Sequence, residues 1–325
     1  MLTTPVSDIP LQTINSSVFK EKRLSVSILR TDLYDPLISG NKWFKLKYNL
    51  LAAAEQNIQT LISFGGPYSN HLHALAAAGK KYHLKTIGII RGEEHLPLNP
   101  TLADAQTMGM SLFYINRQDY RQKHHPLFIA VLIQQLKAQL LLSEDEAYYL
   151  VPEGGTNSLA IKGAAEICSY IPRKTDFICV ACGTGGTMAG IIHGLQKNNH
   201  SNSKVLGFPA LKGAQFLENT INTLLQSYAT NIPEQYIQRE FIYDYHFGGF
   251  GRMTTELARF IIEFEKKYSI PLDPVYTAKM MYAIVELINN NYFPPDSQIL
   301  IIHTGGLQGR RGMDAQIKQA LTQQS

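Results

Sequence analysis

Ser39-Gly40-Asn41-Lys42 places a lysine in a glycine-containing turn before a predicted helix, beside the apolar residues Trp43 and Phe44. A lysine that is buried beside a helix N-terminus has a lowered pKa, and its neutral amine is a nucleophile that can form a Schiff base. A lysine is more often only a solvated charge. The position of Lys42 alone therefore leaves both interpretations open.

A glycine-rich segment offers a second kind of chemistry. The strand predicted over Phe177–Cys182 runs into Gly183-Thr184-Gly185-Gly186-Thr187 and then directly into a helix. Backbone N–H groups in such a loop, together with the positive end of the helix dipole, cradle a phosphate. The third glycine of G-x-G-x-x-G would fall at Met188, and the lysine of a Walker loop is missing, so the spacing argues against both nucleotide motifs. The alternative is a tight turn with a good N-cap.

Three further segments place hydroxyl and amide groups at the ends of strands or loops. Ser69 and Asn70 follow Gly65-Gly66 and open an alanine-rich helix, where they either cap the helix or hold an anion on its first N–H groups. Asp273-Pro274-Val275-Tyr276-Thr277 precedes another helix, and His303-Thr304-Gly305-Gly306 follows the last predicted strand. Taken one at a time, the last two segments are explained equally well as a cap and a turn.

Composition narrows the class of protein. The chain has 325 residues, of which 45% are hydrophobic and 17% charged, so it is long enough for one large or two medium folded domains. The net charge of +4 is scattered, which argues against a nucleic-acid partner. Three clustered cysteines, Cys168, Cys179 and Cys182, do not make a secreted disulfide framework. Because the sequence shows neither a signal-peptide pattern nor a membrane-length apolar run, we expect a cytoplasmic protein without a membrane partner.

The hydrophobic periodicity predicts two successive runs of alternating strands and helices, which is typical of parallel sheets covered by helices. The predicted strands are Thr60–Phe64, Thr86–Ile90, Ser111–Ile115, Ala147–Val151, Phe177–Cys182, Lys204–Phe208 and Gln298–His303. The predicted helices are Leu46–Glu55, Ser69–Lys81, Thr101–Met108, Pro126–Leu141, Leu159–Ser169, Thr187–Gln196, Gly213–Ser227, Thr254–Lys267 and Ala278–Asn289.

These elements predict an α/β fold with two open, twisted, mainly parallel sheets flanked by helices. Residues 46–151 form the smaller domain. The first 45 residues carry a short β-like run, Leu24–Leu29, but no strand–helix unit of their own, so we expect them to pack on residues 152–325 in the larger domain. Ligands of open α/β proteins bind outside the carboxyl ends of the strands, and we therefore expect the site in the cleft between the two domains.

Together the segments supply an amine nucleophile, a phosphate cup, a serine–asparagine pocket and two hydroxyl-bearing loops, which is the set that pyridoxal phosphate requires. With these motifs, from about Leu33 to Gly306, the sequence resembles the fold type II (tryptophan synthase β-like) pyridoxal-phosphate enzymes, and within them the 1-aminocyclopropane-1-carboxylate deaminase and D-cysteine desulfhydrase family. The most specific motifs are Gly40-Asn41-Lys42 with Lys45-Leu46, Gly65-Gly66 with Ser69-Asn70, Pro152-Glu153-Gly154-Gly155-Thr156-Asn157, and Asp273-Pro274-Val275-Tyr276 with Lys279-Met280.

The resemblance implies a role for each matching residue. Lys42 would hold the cofactor covalently, and Asn70 would bond its ring hydroxyl. The phosphate would be held by Gly183, Thr184, Gly185, Gly186 and Thr187. Ser69 would lie beside the substrate carboxylate as a proton-transfer group, and Tyr276 would stand over the reacting carbons, with Tyr68, Asn70 and Phe250 completing the substrate pocket. Either Thr277 or Thr304 would meet the pyridine nitrogen.

The residues at positions 277 and 304 separate two activities. Deaminases of this family look as if they carry Glu and Leu there, whereas the desulfhydrases tend to carry hydroxyl residues, as Thr277 and Thr304 do. A carboxylate keeps the pyridine nitrogen protonated and the ring a strong electron sink, whereas a hydroxyl does not. The resemblance thus favours β-elimination from a small amino acid, D-cysteine, giving sulfide, ammonia and pyruvate.

Two alternatives stay open: a 1-aminocyclopropane-1-carboxylate deaminase that forms 2-oxobutyrate and ammonia, and a non-catalytic homologue that only binds the cofactor. Phe250 departs from the family pattern, because a tyrosine usually stands there and its hydroxyl is lost. The resemblance further implies a homodimer. Cys179-Val180-Ala181-Cys182 matches C-x-x-C but lies within a predicted buried strand, and His124-His125 has no spaced third ligand, so we expect no metal site.

Overall fold

The computed structural model describes residues 8–198, 202–228 and 237–322. Its strands are β1 (Leu11–Ile14), β2 (Ser25–Leu29), β3 (Thr60–Gly65), β4 (Lys85–Arg91), β5 (Met110–Ile115), β6 (Tyr148–Val151), β7 (Phe177–Cys182), β8 (Lys204–Pro209), β9 (Arg239–Phe241) and β10 (Gln298–Ile302). Its α-helices are α1 (Ser17–Glu21), α2 (Asn41–Glu55), α3 (Asn70–Tyr82), α4 (Pro100–Thr107), α5 (Arg117–Tyr120), α6 (Pro126–Ala138), α7 (Ser158–Ala165), α8 (Gly186–Lys197), α9 (Phe216–Tyr228), α10 (Thr255–Tyr268), α11 (Thr277–Asn289) and α12 (Asp314–Thr322). Short 3₁₀ helices cover Thr31–Leu33, Glu153–Gly155, Glu166–Tyr170 and Leu307–Gly312.

The described strands form two sheets. One has six strands in the order β1-β2-β10-β7-β8-β9, and the other has four in the order β5-β4-β3-β6. The pairing of β1 with β2 is antiparallel, and all the other strand pairs are parallel. The predicted fold class, two mainly parallel sheets flanked by helices, is confirmed. The chain division at residues 45 and 151 stays a prediction.

The N-terminal strands β1 and β2 belong to the six-stranded sheet. In the register of β2 with β10, Ser25 lies opposite Gln298 and Leu29 lies opposite Ile302. The chain therefore enters and leaves this sheet through neighbouring strands. The loops that follow β2 and β10 meet at one edge, and this meeting positions the beginning of α2.

A continuous hydrophobic cluster joins the two sheets. It includes Leu61 of β3, Ile178 of β7, and between them Phe44 of α2, Ile161 of α7 and Ile191 of α8, all of which are buried. Every residue of β3 is buried, because helices cover both faces of a parallel sheet and its strands then read as continuous apolar runs. The carboxyl ends of the two sheets are consequently held on either side of one cleft.

The structure corrects the predicted start of α2. The helix begins at Asn41 rather than at Leu46, so Lys42 lies in its first turn and not in a preceding turn. Gly40, at φ 66°, makes the turn into the helix. The polar side chains of Asn41, Lys42 and Lys45 face the cleft and interrupt the apolar pattern, which is why periodicity alone placed the start too late.

Other differences concern short or polar elements. The helix predicted over Leu159–Ser169 ends at Ala165 and continues as the 3₁₀ helix Glu166–Tyr170. The sequence pattern missed β1, β9, α1, α5 and α12, which are too short or too polar to show a clear period. Among the described residues, no helix combines the length and the apolar character that crossing a membrane requires.

Candidate active site

A cleft of about 790 Å³ opens at the carboxyl ends of β3, β7 and β10. Thr277 is the one predicted site residue that does not line it. The cleft brings together Lys42, Tyr68, Ser69, Asn70, Gly183, Thr184, Gly185, Gly186, Thr187, Phe250, Tyr276 and Thr304. Lys42 and Thr304, which are 262 positions apart in the sequence, thus meet in one place, since most of these residues follow a strand end or open a helix at the same edge of a sheet.

The beginning of α2 is fixed on the six-stranded sheet. The backbone N–H of Asn41 donates to the Thr304 carbonyl oxygen at 3.2 Å, and Asn41 Nδ2 donates to Thr187 Oγ1 at 2.7 Å. A Cβ on Gly40 would overlap the Thr304 carbonyl, so only glycine permits this approach. The first helical turn, which carries Lys42, is thereby locked against the loop after β10.

Lys42 has the electrostatic character of a nucleophilic amine. Burial lowers its pKa to about 8, and the Asp273 carboxylate opposes that shift in part. An ordinary lysine is almost wholly charged at neutral pH, whereas a group with this pKa has a useful fraction of neutral amine. The side chain lines the cleft and can therefore attack a carbonyl carbon placed there.

The glycine-rich loop after β7 forms a cup at the N-terminus of α8. Gly185, at φ 81°, ends the loop, and the twelve-residue helix begins at Gly186. A Cβ on Gly186 would lie 2.9 Å from Thr156 Cγ2 and 3.2 Å from Lys45 Nζ, so a larger residue would close the cup. Free N–H groups at a helix N-terminus bind anions.

Lys45 is a second buried lysine. It belongs to the family motif with Gly40-Asn41-Lys42, but the sequence assigns it no role. It is 1% exposed, and its Nζ donates to Thr156 Oγ1 at 2.8 Å. Burial and the nearby Lys42 charge lower its pKa well below the usual value. Its three-residue spacing from Lys42 on one helix puts both amines on the same face, which is the signal that would have identified it. An anion in the cup would be the counter-charge of Lys45.

On the opposite wall, Ser69 and Asn70 begin α3. Ser69 is the N-cap, and its Oγ accepts a hydrogen bond from the Leu72 N–H at 3.2 Å. Asn70 Oδ1 accepts a hydrogen bond from Gln308 Nε2 at 2.5 Å. The Ser69 hydroxyl hydrogen and the Asn70 Nδ2 group therefore remain as donors at the cleft.

His71, the next residue of α3, is held as a neutral imidazole. Its Nε2 lies 2.8 Å from Ser63 Oγ, and that hydroxyl donates to the Val151 carbonyl oxygen, so Nε2 carries the proton. Burial, Lys42 and Lys45 lower the pKa of His71 well below its usual value. Its Nδ1 atom is buried without a hydrogen-bond partner in the described part of the chain.

The segment before α11 distinguishes Thr277 from Thr304. The buried Asp273 carboxylate accepts the Thr277 hydroxyl at 2.9 Å and the N–H groups of residues 275, 276 and 277 at 2.8–2.9 Å. Thr277 is fully buried, and its hydroxyl serves this cap rather than the cleft. Thr304 lines the cleft.

Tyr276 stands over the glycine cup with its hydroxyl protonated. A Cβ on Gly183 would lie 3.1 Å from Tyr276 Oη, which places the phenol directly above the loop. Burial and the Asp273 charge raise the pKa of Tyr276 far above its usual value. The phenol can therefore donate a hydrogen bond at neutral pH, whereas its raised pKa makes it a weak acid.

Phe250 is held at the mouth of the cleft by a buried lysine. Lys279 Nζ donates to the carbonyl oxygens of His246 at 2.9 Å and Gly249 at 2.7 Å, and burial lowers its pKa to about 8. The Phe250 ring packs edge-on against Tyr276, with 5.9 Å between the ring centroids. The missing hydroxyl at position 250 leaves an apolar group there.

Of the two motifs that we expect to be unrelated to the site, His124-His125 lies outside the cleft lining, whereas Cys182, at the end of the C-x-x-C motif, lines the cleft. Cys179 and Cys182 are buried within β7, and burial raises the pKa of the Cys182 thiol to about 12. His124 and His125 are exposed.

Comparison with known proteins identifies the class that this fold and cleft define. A family model described as "Pyridoxal-phosphate dependent enzyme" matches residues 6–305, and the chain belongs to this family. A Pyrococcus horikoshii protein named "Putative 1-aminocyclopropane-1-carboxylate deaminase" is 30% identical over 310 residues, which are 94% of this chain and 90% of that protein.

Two further proteins are similar to this chain over most of its length. The Arabidopsis thaliana "Bifunctional D-cysteine desulfhydrase/1-aminocyclopropane-1-carboxylate deaminase, mitochondrial" is 30% identical over 297 residues, covering 87% of this chain and 72% of that protein. A crystal structure of an "ACC deaminase homologue" superposes with a TM-score of 0.83 at 28% identity, covering 98% of this chain and 95% of that one. The predicted family, cofactor and enzymatic nature are confirmed.

The cleft residues fit pyridoxal phosphate chemically. The cup after β7 has no room for a Cβ at Gly186 and faces a buried amine, which suits a phosphate dianion. Lys42 supplies an amine with a lowered pKa for the aldehyde. Asn70 and Thr304 supply polar groups for the ring.

Proposed function

We propose that this protein is a D-cysteine desulfhydrase, which converts D-cysteine and water to pyruvate, ammonia and hydrogen sulfide. The observation that carries this proposal is the hydroxyl side chain of Thr304 in the cleft, with Thr277 turned away onto Asp273. No carboxylate stands at either position. A neutral partner for the pyridine nitrogen gives a weak electron sink, which suits the early loss of a good leaving group such as sulfide.

Lys42 carries the covalent bond and the proton transfer in this proposal. When bound, pyridoxal phosphate withdraws electrons from the substrate Cα. Burial lowers the pKa of the Lys42 amine to about 8, and with the cofactor and substrate bound this amine would take the proton from Cα. The sulfur leaves with the electrons of the C–S bond, and water releases ammonia in the later hydrolysis.

Ser69 and Tyr276 assist as hydrogen-bond donors. Because the Ser69 oxygen accepts from the Leu72 N–H, its own hydrogen is directed to another acceptor, and the substrate carboxylate is the acceptor that we propose. Tyr276 keeps its proton through its raised pKa and is suited to donate a hydrogen bond to the leaving sulfur. Gly183 to Thr187 and Lys45 would hold the phosphate, Asn70 Nδ2 would donate to the ring oxygen, and Thr304 would be the partner of the pyridine nitrogen.

A 1-aminocyclopropane-1-carboxylate deaminase is the second candidate, and the names of the relatives favour it. That reaction opens a ring at a carbon without a Cα proton and needs a stronger electron sink. Thr304 and Phe250 provide neither a carboxylate at the nitrogen nor a phenol at the substrate. We therefore rank it second.

Parallel product assays test the proposal. Purified enzyme is incubated with D-cysteine, L-cysteine or 1-aminocyclopropane-1-carboxylate, and sulfide, pyruvate and 2-oxobutyrate are measured. We expect sulfide and pyruvate from D-cysteine. If only the cyclopropane substrate reacts, the use of Thr277 and Thr304 to assign the activity is wrong.

Borohydride reduction tests the role of Lys42 separately. We expect the reduced enzyme to carry the cofactor on a peptide containing Lys42, and Lys42→Ala to lose both this label and more than ~10³-fold in kcat. Lys47→Ala is the matched control on the same helix, since Lys47 pairs with Glu166 at 2.7 Å outside the cleft lining. A label on another lysine would contradict the assignment.

We further infer, from the family resemblance, that the enzyme is a homodimer that works in the cytoplasm. The support is the similarity to the family over most of the chain. Light scattering coupled to size-exclusion chromatography measures the mass of the assembly, and a mass near 36 kDa would contradict the homodimer.

A further inference from the structure

Gln308 contacts Asn70 from the other side of the cleft. Asn70 opens α3, which follows β3 of the four-stranded sheet, whereas Gln308 lies in the 3₁₀ helix Leu307–Gly312 that follows β10 of the six-stranded sheet. Gln308 Nε2 donates to Asn70 Oδ1 at 2.5 Å. The two residues are 238 positions apart in the chain, so the contact forms only in the folded structure.

Two glycines close in on the same amide. A Cβ on Gly306, which has φ 89°, would lie 2.5 Å from Asn70 Nδ2. A Cβ on Gly309 would lie 3.2 Å from Asn70 Oδ1. The Asn70 side chain is therefore enclosed on its oxygen side by Gln308 and Gly309, and on its nitrogen side by Gly306.

The hydrogen bond decides which end of the Asn70 amide is the donor. An amide has one accepting oxygen and one donating nitrogen, and their orientation follows from the hydrogen-bond partners. Because Gln308 presents its NH₂ group, Asn70 turns its oxygen toward Gln308 and keeps Nδ2 as the free donor. An oxygen in place of Nδ2 would repel an electron-rich oxygen of a bound ligand.

We propose that Gln308 is a positioning residue, which orients the Asn70 amide so that Nδ2 donates to the ring oxygen of pyridoxal phosphate. This inference rests on the role proposed for Asn70 and does not depend on the substrate. Gln308 acts through Asn70 and needs no contact with the cofactor itself. The orientation of Asn70, which lies on the wall of the four-stranded sheet, therefore depends on the 3₁₀ helix Leu307–Gly312, which follows β10 of the six-stranded sheet.

Two substitutions separate orientation from simple packing. Gln308→Glu keeps the size of the side chain but offers only acceptors at neutral pH, so the Asn70 amide turns over and points its oxygen at the ring oxygen. Gln308→Met removes the hydrogen bond, so the Asn70 amide can adopt either orientation. Gln134→Glu, at an exposed position of α6 outside the cleft lining, controls for the added charge.

The primary measurement is the dissociation constant of the apo-enzyme for pyridoxal phosphate, followed through the fluorescence of Trp43, the single tryptophan, next to Lys42. We expect Gln308→Glu to weaken binding roughly tenfold, since a hydrogen bond to a charged oxygen is replaced by a repulsion. Gln308→Met should weaken it about threefold, and Gln134→Glu should leave it unchanged.

The second measurement is the pH dependence of the visible absorbance of the loaded enzyme. A donor to the ring oxygen favours its deprotonated form, so Gln308→Glu should move the midpoint upward by roughly one pH unit. A role limited to packing would not move this midpoint. The thermal unfolding of each variant is recorded beside it, and Gln308→Met carries the test if Gln308→Glu does not fold.

A double-mutant comparison completes the experiment. In an Asn70→Ala background Gln308→Glu should no longer change the dissociation constant, because the two residues act as one unit. An equal effect in both backgrounds, or an unmoved pH midpoint, overturns the inference. A wild-type apo-enzyme that binds no pyridoxal phosphate would instead overturn the cofactor assignment, and the inference with it.

Discussion

The two walls of the cleft differ in what holds their functional groups. The wall on the six-stranded sheet is held from within: Asn41 bonds Thr187, and Lys45 bonds Thr156. On the other wall, Asn70 is oriented by Gln308, which reaches across from the segment after β10. We conclude that the phosphate and lysine side is formed by its own neighbours, whereas the ring and substrate side is completed by contacts from the opposite wall.

A polar network repeats this dependence farther from the cleft. Arg311, in the same 3₁₀ helix as Gln308, pairs with Asp104 of α4, and Asp104 lies 3.2 Å from His73 Nε2 on α3. The Arg311 side chain is 45% exposed and that of Asp104 36%. Such half-exposed pairs contribute at most about 1 kcal/mol. The ion pairs of this network therefore add little to the stability of the second wall.

Among the substitutions that compare the two walls, Ser69→Ala on the second wall has the largest expected effect. Ser69→Ala removes both the helix cap and the hydroxyl, so we expect the free energy of unfolding to fall by about 1 kcal/mol and kcat to fall about 100-fold. Ser69→Asp restores the cap but not the hydroxyl donor. It should recover stability in urea denaturation without recovering kcat, and an active Ser69→Asp variant would reduce Ser69 to a cap.

The second largest effect concerns cofactor binding by Lys45, which lies on the wall of the six-stranded sheet. Lys45→Met should weaken pyridoxal phosphate binding roughly thirtyfold, since it removes a charged donor from the cup. Thr156→Val is the matched control, because it removes the hydroxyl partner and leaves the amine. Equilibrium dialysis gives both dissociation constants. Competition by inorganic phosphate should weaken in Lys45→Met and not in Ser69→Ala, and equal competition would contradict the division between the walls.

The smallest expected effect is a pH dependence carried by Lys42. Because only the neutral amine attacks the cofactor aldehyde and the pKa is about 8, the rate of cofactor loading should rise about fivefold from pH 7 to pH 8 and level off above about pH 9. Stopped-flow absorbance measures this rate. A flat profile across this range would show that another step limits loading.

The lowered pKa of Lys42 also makes the free energy of unfolding depend on pH. The folded pKa of Lys42 lies below its ordinary value of 10.5, so the unfolded chain holds more protons between pH 8 and 10.5. The destabilisation caused by burying this amine is fully present below pH 8 and disappears as the pH rises toward 10.5.

The role of Lys42 rests on the family resemblance and stays a prediction. The sequence was sufficient to predict the two sheets and the glycine-rich loop after β7, because each depends on a local pattern of strands, glycine turns and helix starts. The sequence was not sufficient to predict pairs of side chains that lie far apart in the chain and contact each other only in the fold. Lys45 is hydrogen-bonded to Thr156, which is 111 positions away, and Asn70 is hydrogen-bonded to Gln308, which is 238 positions away. The choice between Thr277 and Thr304 depended on the Asp273 carboxylate, whose buried cap no spacing rule reveals.

The hydrogen bond from the Asn41 N–H to the Thr304 carbonyl has a consequence for how the enzyme is made. Residues 60–151, which contain the whole four-stranded sheet, leave the ribosome as one continuous stretch and can fold early. The Lys42 turn leaves the ribosome before them, yet its anchor at Thr304 is synthesised only after β10, the last of the described strands. A nascent chain therefore carries Lys42 without this anchor until β10 and the loop after it have been synthesised.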